Sequence, residues 1–149
     1  MTEQERTAIA PPLGRVVDTG PEKGLGVVAI RDIAAGEVIE TAPTICFPGE
    51  PDDFPEPIRD RVFGFDGMPG VEHLSAIALG YGCLYNHANP ANMGYAAEDD
   101  ASAIIFTAAR DISEGEELTI NYDRDPGGDP DVVESTESRW FGSRGIEPV

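Results

Sequence analysis

An eleven-residue phrase occurs twice in this chain, so whatever fold forms must use it twice. Ala29-Ile30-Arg31-Asp32-Ile33-Ala34-Ala35-Gly36-Glu37-Val38-Ile39 is echoed by Ala108-Ala109-Arg110-Asp111-Ile112-Ser113-Glu114-Gly115-Glu116-Glu117-Leu118. Six of the eleven positions are identical (Ala, Arg, Asp, Ile, Gly and Glu), at an offset of 79 residues. Solenoid repeats recur every roughly 20–50 residues, so this is not a stacked array. The phrase reads as a strand, a tight turn and a strand. Asp-Ile closes one apolar run, Gly admits a positive φ, and a second apolar run follows. Three further groups surround the copies: Gly24-Leu25-Gly26 before the first, Asn86-His87 between them, and Asn121-Tyr122 after the second.

A chain of 149 residues is most simply one domain around one core. Thirteen prolines and seventeen glycines favour turns and short strands over long helices. Residues 1–12 read as a flexible arm. Strands are expected from Val16-Val17, over 26–30, 38–41, 93–97, 103–108 and 117–122, with 43–47 either extending the third or pairing elsewhere. Residues 49–57 read as a loop, 59–65 as a short helix or strand, and 67–70 as a turn. Residues 73–80, with Leu74, Ile77, Ala78 and Leu79 apolar, form the best helix candidate. A second helix is expected over 132–141, inside a closing segment of residues 124–149.

The net charge of −18 argues against binding nucleic acid through a basic surface. It suits a Lys/Arg-rich partner, and equally a solubility adaptation. Lys23 is the single lysine beside nine arginines, which tips the balance toward the second. Cys46 and Cys83 lack zinc-ligand spacing and are expected as buried, reduced thiols; no metal site is expected. The polar residues 1–12 lack a signal-peptide hydrophobic stretch, and no apolar run approaches the roughly 18 residues of a membrane span. The expected location is therefore the cytoplasm, with no membrane partner.

Three blocks carry a resemblance to a known family. Lys23-Gly24-Leu25-Gly26-Val27-Val28-Ala29 leads into Asp32-Ile33 and Gly36-Glu37. Tyr85-Asn86-His87 has Asn92 downstream. Gly115-Glu116-Glu117-Leu118-Thr119-Ile120-Asn121-Tyr122 closes the series. Each alone is weak; in this order and spacing, over residues 13–123, they resemble the SET-domain family of S-adenosylmethionine-dependent protein-lysine methyltransferases in its short form without zinc-binding flanks. The resemblance implies a mainly β, β-clip-like fold of short curled sheets and hairpins with small helical inserts. Similar Asp-Ile-x-x-Gly-Glu hairpins also occur in non-enzymatic binding domains, and Asn86, His87 and Tyr122 are what favour the enzyme.

The resemblance also implies roles for individual residues. Tyr122 is the expected catalytic residue, orienting the transferring methyl group. Lys23, Gly24, Leu25, Gly26, Asn86, His87, Tyr122 and Trp140 are the expected cofactor-binding set, with S-adenosylmethionine as cofactor. An aromatic channel suits a lysine ammonium through cation–π attraction. Tyr81, Tyr85, Phe63 and Phe65 are its candidate walls. Phe63 and Phe65 read at least as well as core residues, and Trp140-Phe141 as either a closing segment or a packed helix. Ile120 stands where an aromatic often sits in the family, which leaves the number of methyl groups open. The implied substrate is a lysine of a basic protein or peptide. The alternatives are a non-catalytic binding module on the same scaffold, or an enzyme acting on a small amine. Some minimal family members dimerise, so the resemblance admits a homodimer.

Overall fold

The computed structural model describes residues 9–49, 53–59, 61–64, 74–88, 90–98 and 102–121. The expected site residues Tyr122 and Trp140, with Phe65, Phe141 and the 132–141 helix, lie outside that set. In chain order the elements are β1 (Gly14–Asp18), β2 (Leu25–Ala29), β3 (Val38–Pro48), α1 (Glu56–Arg59), β4 (Phe63–Gly64), β5 (Leu74–Ala78), β6 (Asn86–His87), β7 (Met93–Ala97), β8 (Ala103–Ala108) and β9 (Thr119–Ile120).

They form three small sheets: the β1-β2 hairpin, a five-stranded antiparallel sheet ordered β4-β5-β3-β8-β7, and the parallel pair β6-β9. β3 spans the separately expected strands 38–41 and 43–47. It changes partner midway: Val38 to Pro43 pair with β8, and Thr44 to Pro48 with β5. Pro43, which has no N–H to donate, sits at the handover, where a missing ladder bond costs least.

The two copies of the repeated phrase do not each close on themselves. Each is a corner whose two arms pair with the arms of the other copy. Ile33 and Ile112 exchange backbone hydrogen bonds of 2.8 Å in both directions. Ala29 donates to Glu116 O at 2.9 Å, and Ala108 to Glu37 O at 2.9 Å. Gly115 donates to Ala29 O, and Gly36 to Ala108 O, both at 2.8 Å. The aspartates cross as well: Asp32 Oδ1 accepts Glu114 N–H at 2.8 Å, and Asp111 Oδ1 accepts Ala35 N–H at 2.9 Å. The result is a local two-fold pseudosymmetry centred on the Ile33–Ile112 bridge. Gly36 and Gly115 hold φ of 89° and 85°, a region where a Cβ is strained, which is why both copies keep glycine. Within each corner Arg and Glu form the same ion pair, Arg31–Glu37 at 3.1 Å and Arg110–Glu116 at 2.9 Å. The same glutamates also accept a backbone N–H, from Ala34 at 2.7 Å and Ser113 at 2.8 Å.

The interlocked corners supply much of the core. Val27, Ile33, Ile39, Ile104, Phe106, Ile112, Leu118 and Ile120 are all at or below 2% exposure. Burying a side chain of this size contributes about 1.5–3 kcal/mol, so this cluster outweighs any surface pair.

Four expectations are corrected. Residues 73–80 contribute a strand, β5, not a helix. Ala76 and Ala78 face the core on its alternating pattern, and a short apolar run fits either period until its partners β3 and β4 are in place. Of residues 117–122 only Thr119–Ile120 forms a strand in the described chain. Cys46, expected as buried, is exposed, because β3 has run beyond the core by that point; Cys83 is half-buried. Residue 10, expected within the flexible arm, is tied to the sheet instead: Ala10 bridges Thr41, whose N–H donates to Ala10 O at 3.1 Å.

Candidate functional site

Asn86-His87 owes its position to the second corner. β6 runs parallel to β9, Asn86 opposite Thr119 and His87 opposite Ile120, and Ala88 extends the ladder to Ile120 O at 3.0 Å. A parallel pair cannot be joined by a tight turn, so the chain from residue 88 to residue 118 makes the crossing.

The loop bearing Asn86 is held from both sides. Upstream, buried Glu40 on β3 accepts Tyr81 N–H at 3.0 Å and Tyr85 Oη–H at 2.7 Å. Downstream, Asn92 interlocks with Thr119: Thr119 N–H donates to Asn92 Oδ1 at 2.9 Å, and Asn92 N–H to Thr119 Oγ1 at 3.2 Å. Asn92 Nδ2 adds a bond to Glu117 O at 2.8 Å. Burial raises the Glu40 carboxyl above its ordinary range, against the pull of its two donors. Burial, followed by the Glu40 charge, pushes the Tyr85 phenol far above its ordinary value, so it stays a protonated donor.

Asn86 then reaches into the first block. Its Nδ2 lies 3.2 Å from Leu25 O, 3.1 Å from Glu117 Oε1 and 3.5 Å from Thr19 Oγ1. Glu117 Oε2 lies 3.6 Å from Lys23 Nζ. The turn between β1 and β2 is tied by Thr19, whose N–H and Oγ–H both donate to Gly24 O at 2.8 Å. Thr19, Gly20, Pro21, Glu22, Lys23 and Glu117 line an open cavity of about 380 Å³. At Gly26 a Cβ would come within 2.7 Å of Asn86 Nδ2 and 2.8 Å of Glu117 Oε1, so only glycine lets the three blocks close together.

The sequence candidates divide accordingly. Lys23, Gly24, Leu25, Gly26 and Asn86 are brought to one place, and His87 is buried beside them in β6. The channel candidates are not gathered into one open wall. Tyr85 and Ile120 are core residues at 2% exposure, Tyr85 because its hydroxyl is committed to Glu40. Tyr81 and Phe63 are half-buried at the edge of the core. Sequence reasoning passed over Tyr95, which stacks edge-on against Phe63 at 5.5 Å and donates from Oη to Asn121 O at 3.1 Å, one residue before Tyr122. Its sole sequence signal was its place three residues after Asn92. Glu117 and Thr19 were likewise not singled out. Among the described residues no group of three His, Cys, Asp or Glu side chains could hold a metal ion, and no helix is long and apolar enough to cross a membrane.

A cavity lined by Lys23 and Glu117, with Asn86 hydrogen-bonded to Glu117 behind it, fits the polar end of S-adenosylmethionine by donor set. The comparisons agree with this architecture. The family model described as SET domain matches residues 24–123, and the chain belongs to the SET-domain family. It is 29% identical over 100 residues, 67% of each protein, to the Schizosaccharomyces pombe histone-lysine N-methyltransferase specific for H3 lysine 37. Among solved structures it is similar to a Plasmodium falciparum protein provisionally designated a histone methyltransferase, with TM-score 0.57 and 23% identity over 76% of this chain and 95% of that one. It also resembles a chain of an active polycomb repressive complex 2 in the stimulated state, with TM-score 0.61 and 21% identity over 77% of this chain and 16% of that one. These two likenesses concern the fold.

Proposed function

We propose that the chain is a protein-lysine N-methyltransferase that uses S-adenosylmethionine. The observation carrying this reading is the meeting of Lys23, Gly26 and Asn86 at Glu117, drawn from all three sequence blocks, beside a cavity that Lys23 and Glu117 line. The family and the S. pombe relative support the reaction class.

When bound, the cofactor supplies an electrophilic methyl group on a sulfonium. The remaining work belongs to the chain. Lys23, Asn86 and the backbone around Gly24 and Gly26 hold the polar end of the cofactor. Taking the proton from a free lysine at pH 7 costs about 4–5 kcal/mol, because its reference pKa is about 10.4. An apolar channel around the substrate side chain would lower that cost by disfavouring the ammonium. The proton then leaves to water, and no histidine base is needed. Tyr122 acts in this reading as the catalytic residue that aligns nitrogen, methyl carbon and sulfur. Asn121, buried at 0% and tied to Tyr95, fixes the backbone that leads into it. A basic protein segment suits a chain of net charge −18, and the cytoplasm remains the proposed location.

Calorimetry with S-adenosylmethionine, followed by methyl transfer to a panel of basic proteins, tests the reading. Tyr122→Phe is expected to keep cofactor affinity and lower kcat about a hundredfold. Absence of cofactor binding rejects the enzyme and favours a binding module, while transfer only to small amines rejects the protein substrate.

A further inference from the structure

Glu40 is a buried carboxyl on β3. Its counterpart after the second copy of the repeated phrase, 79 positions on, is the neutral Thr119, so a corner forms without a carboxyl at this position. A carboxyl is costly to bury, and an apolar side chain would fill the same space without that cost. What the carboxyl adds is direction: two fixed hydrogen bonds to one short stretch of chain. That stretch is the turn from Leu79 to Tyr85, which runs past β3 on its way to Asn86. At its entrance Leu79 N–H donates to Pro43 O at 2.8 Å. Further on, Tyr81 N–H donates to Glu40 Oε2 at 3.0 Å, and at the exit Tyr85 Oη–H donates to Oε1 at 2.7 Å. Gly80 holds a φ of 65°, and a Cβ there would collide with Glu40 Oε2, so the turn is shaped around the carboxyl.

We infer that Glu40 is a positioning residue for the methyl-donor site: through Tyr85 and the 79–85 turn it fixes where Asn86 stands, and so sets the affinity for S-adenosylmethionine. The inference rests on the cofactor reading above. Tyr85 immediately precedes Asn86, so the phenol anchored on Glu40 fixes the chain at the point where β6 begins. β6 is two residues long, too short to hold its own place without anchors on its flanks. Asn86 Nδ2 meanwhile has to reach three segments at once: Glu117 Oε1 at 3.1 Å, Leu25 O at 3.2 Å and Thr19 Oγ1 at 3.5 Å. Hydrogen bonds fall off steeply with distance and angle, so a small displacement of the Asn86 backbone loses several of these contacts together. Glu40 does not line the cavity, so its influence on a ligand there passes through Asn86. The carboxyl sits in the central sheet, paired through β3 with β8, which gives the turn a rigid point to be measured from.

Calorimetry with S-adenosylmethionine on the full chain tests the inference, because it reads affinity and stoichiometry separately. Glu40→Leu removes both acceptors at similar volume and should weaken binding about tenfold at full stoichiometry. Tyr85→Phe removes one of the two bonds and should weaken binding about threefold. Glu40→Gln should return affinity to within about twofold of wild type, since its carbonyl can accept Tyr81 N–H while its amide donates to Tyr85 Oη. In an Asn86→Ala background Glu40→Leu should add less than about twofold, because the side chain it positions is gone. Unchanged affinity at reduced stoichiometry in Glu40→Leu overturns the inference, since the carboxyl would then serve folding alone. So does a tenfold loss that persists in the Asn86→Ala background. Should Glu40→Leu fail to fold, Tyr85→Phe decides, and unchanged affinity there overturns the inference. A wild-type chain that does not bind S-adenosylmethionine overturns the cofactor reading itself, and the positioning role with it.

Discussion

The two corners share a backbone, a bridging isoleucine, a crossing aspartate, a glycine with positive φ and an Arg–Glu pair, yet they face different surroundings. Counting on from the shared Gly-Glu, Val38 corresponds to Glu117 and Glu40 to Thr119. At the second of these positions both copies place a buried polar group that grips the loop between them. Glu40 takes the upstream side at Tyr81 and Tyr85, and Thr119 the downstream side at Asn92. At the first position one copy is inert and the other borders the cavity. Identical positions thus make the frame, and divergent ones make the site.

The comparison breaks most visibly at its centre. Ile33→Ala and Ile112→Ala should each cost about 3 kcal/mol in denaturant unfolding, by nearly equal amounts, because the two side chains are equally buried in one cluster. The double variant should cost less than the sum, since the pair shares one environment. Clearly unequal single costs would show the pseudosymmetry to be one of backbone path only.

Next come the loop clamps. Glu40→Ala leaves a part-buried N–H and a buried phenol without their acceptor and should cost about 2–4 kcal/mol, against about 1–2 kcal/mol for Thr119→Val. Their pH behaviour should differ too. A raised carboxyl in the native state holds its proton longer than in the unfolded chain. Its contribution is therefore greatest below the unfolded value and falls as pH rises through the window up to the raised one. Unfolding curves from pH 4 upward should lose that component in Glu40→Gln and keep it in Thr119→Val.

A reciprocal exchange sharpens the divergent position. Glu117→Val, which removes the acceptor of Asn86 Nδ2 beside the cavity, should weaken S-adenosylmethionine binding about tenfold, leaving the melting temperature close to wild type. Val38→Glu, at an exposed strand position, should change neither. The smallest effect is expected at the surface: Arg31→Met and Arg110→Met should melt close to wild type, because both pairs are solvent-exposed.

Much of the fold was legible locally. The Pro- and Gly-rich β character and the strands at 93–97 and 103–108 follow from alternation and turn residues. The strand at 74–78 was not legible, because a five-residue apolar stretch satisfies both a helical and a strand period. In the site, Lys23, Gly26 and Asn86 were legible as motif residues. Tyr95 was not, since its relevance rests on a hydrogen bond to a residue 26 positions away. Tyr85 looked like a channel wall because nothing in its neighbourhood announces Glu40, 45 positions earlier.

By itself the sequence determined what short range can settle: where the chain turns, which glycines must stay glycine, and that Arg and Glu six apart cap the same corner twice. The tertiary structure alone decided that each corner closes on the other instead of on itself, and that a carboxylate from the second meets a lysine ahead of the first. Those contacts span 76–94 positions. Backbone hydrogen bonds and buried apolar area select them collectively once the core forms, and no local period encodes them.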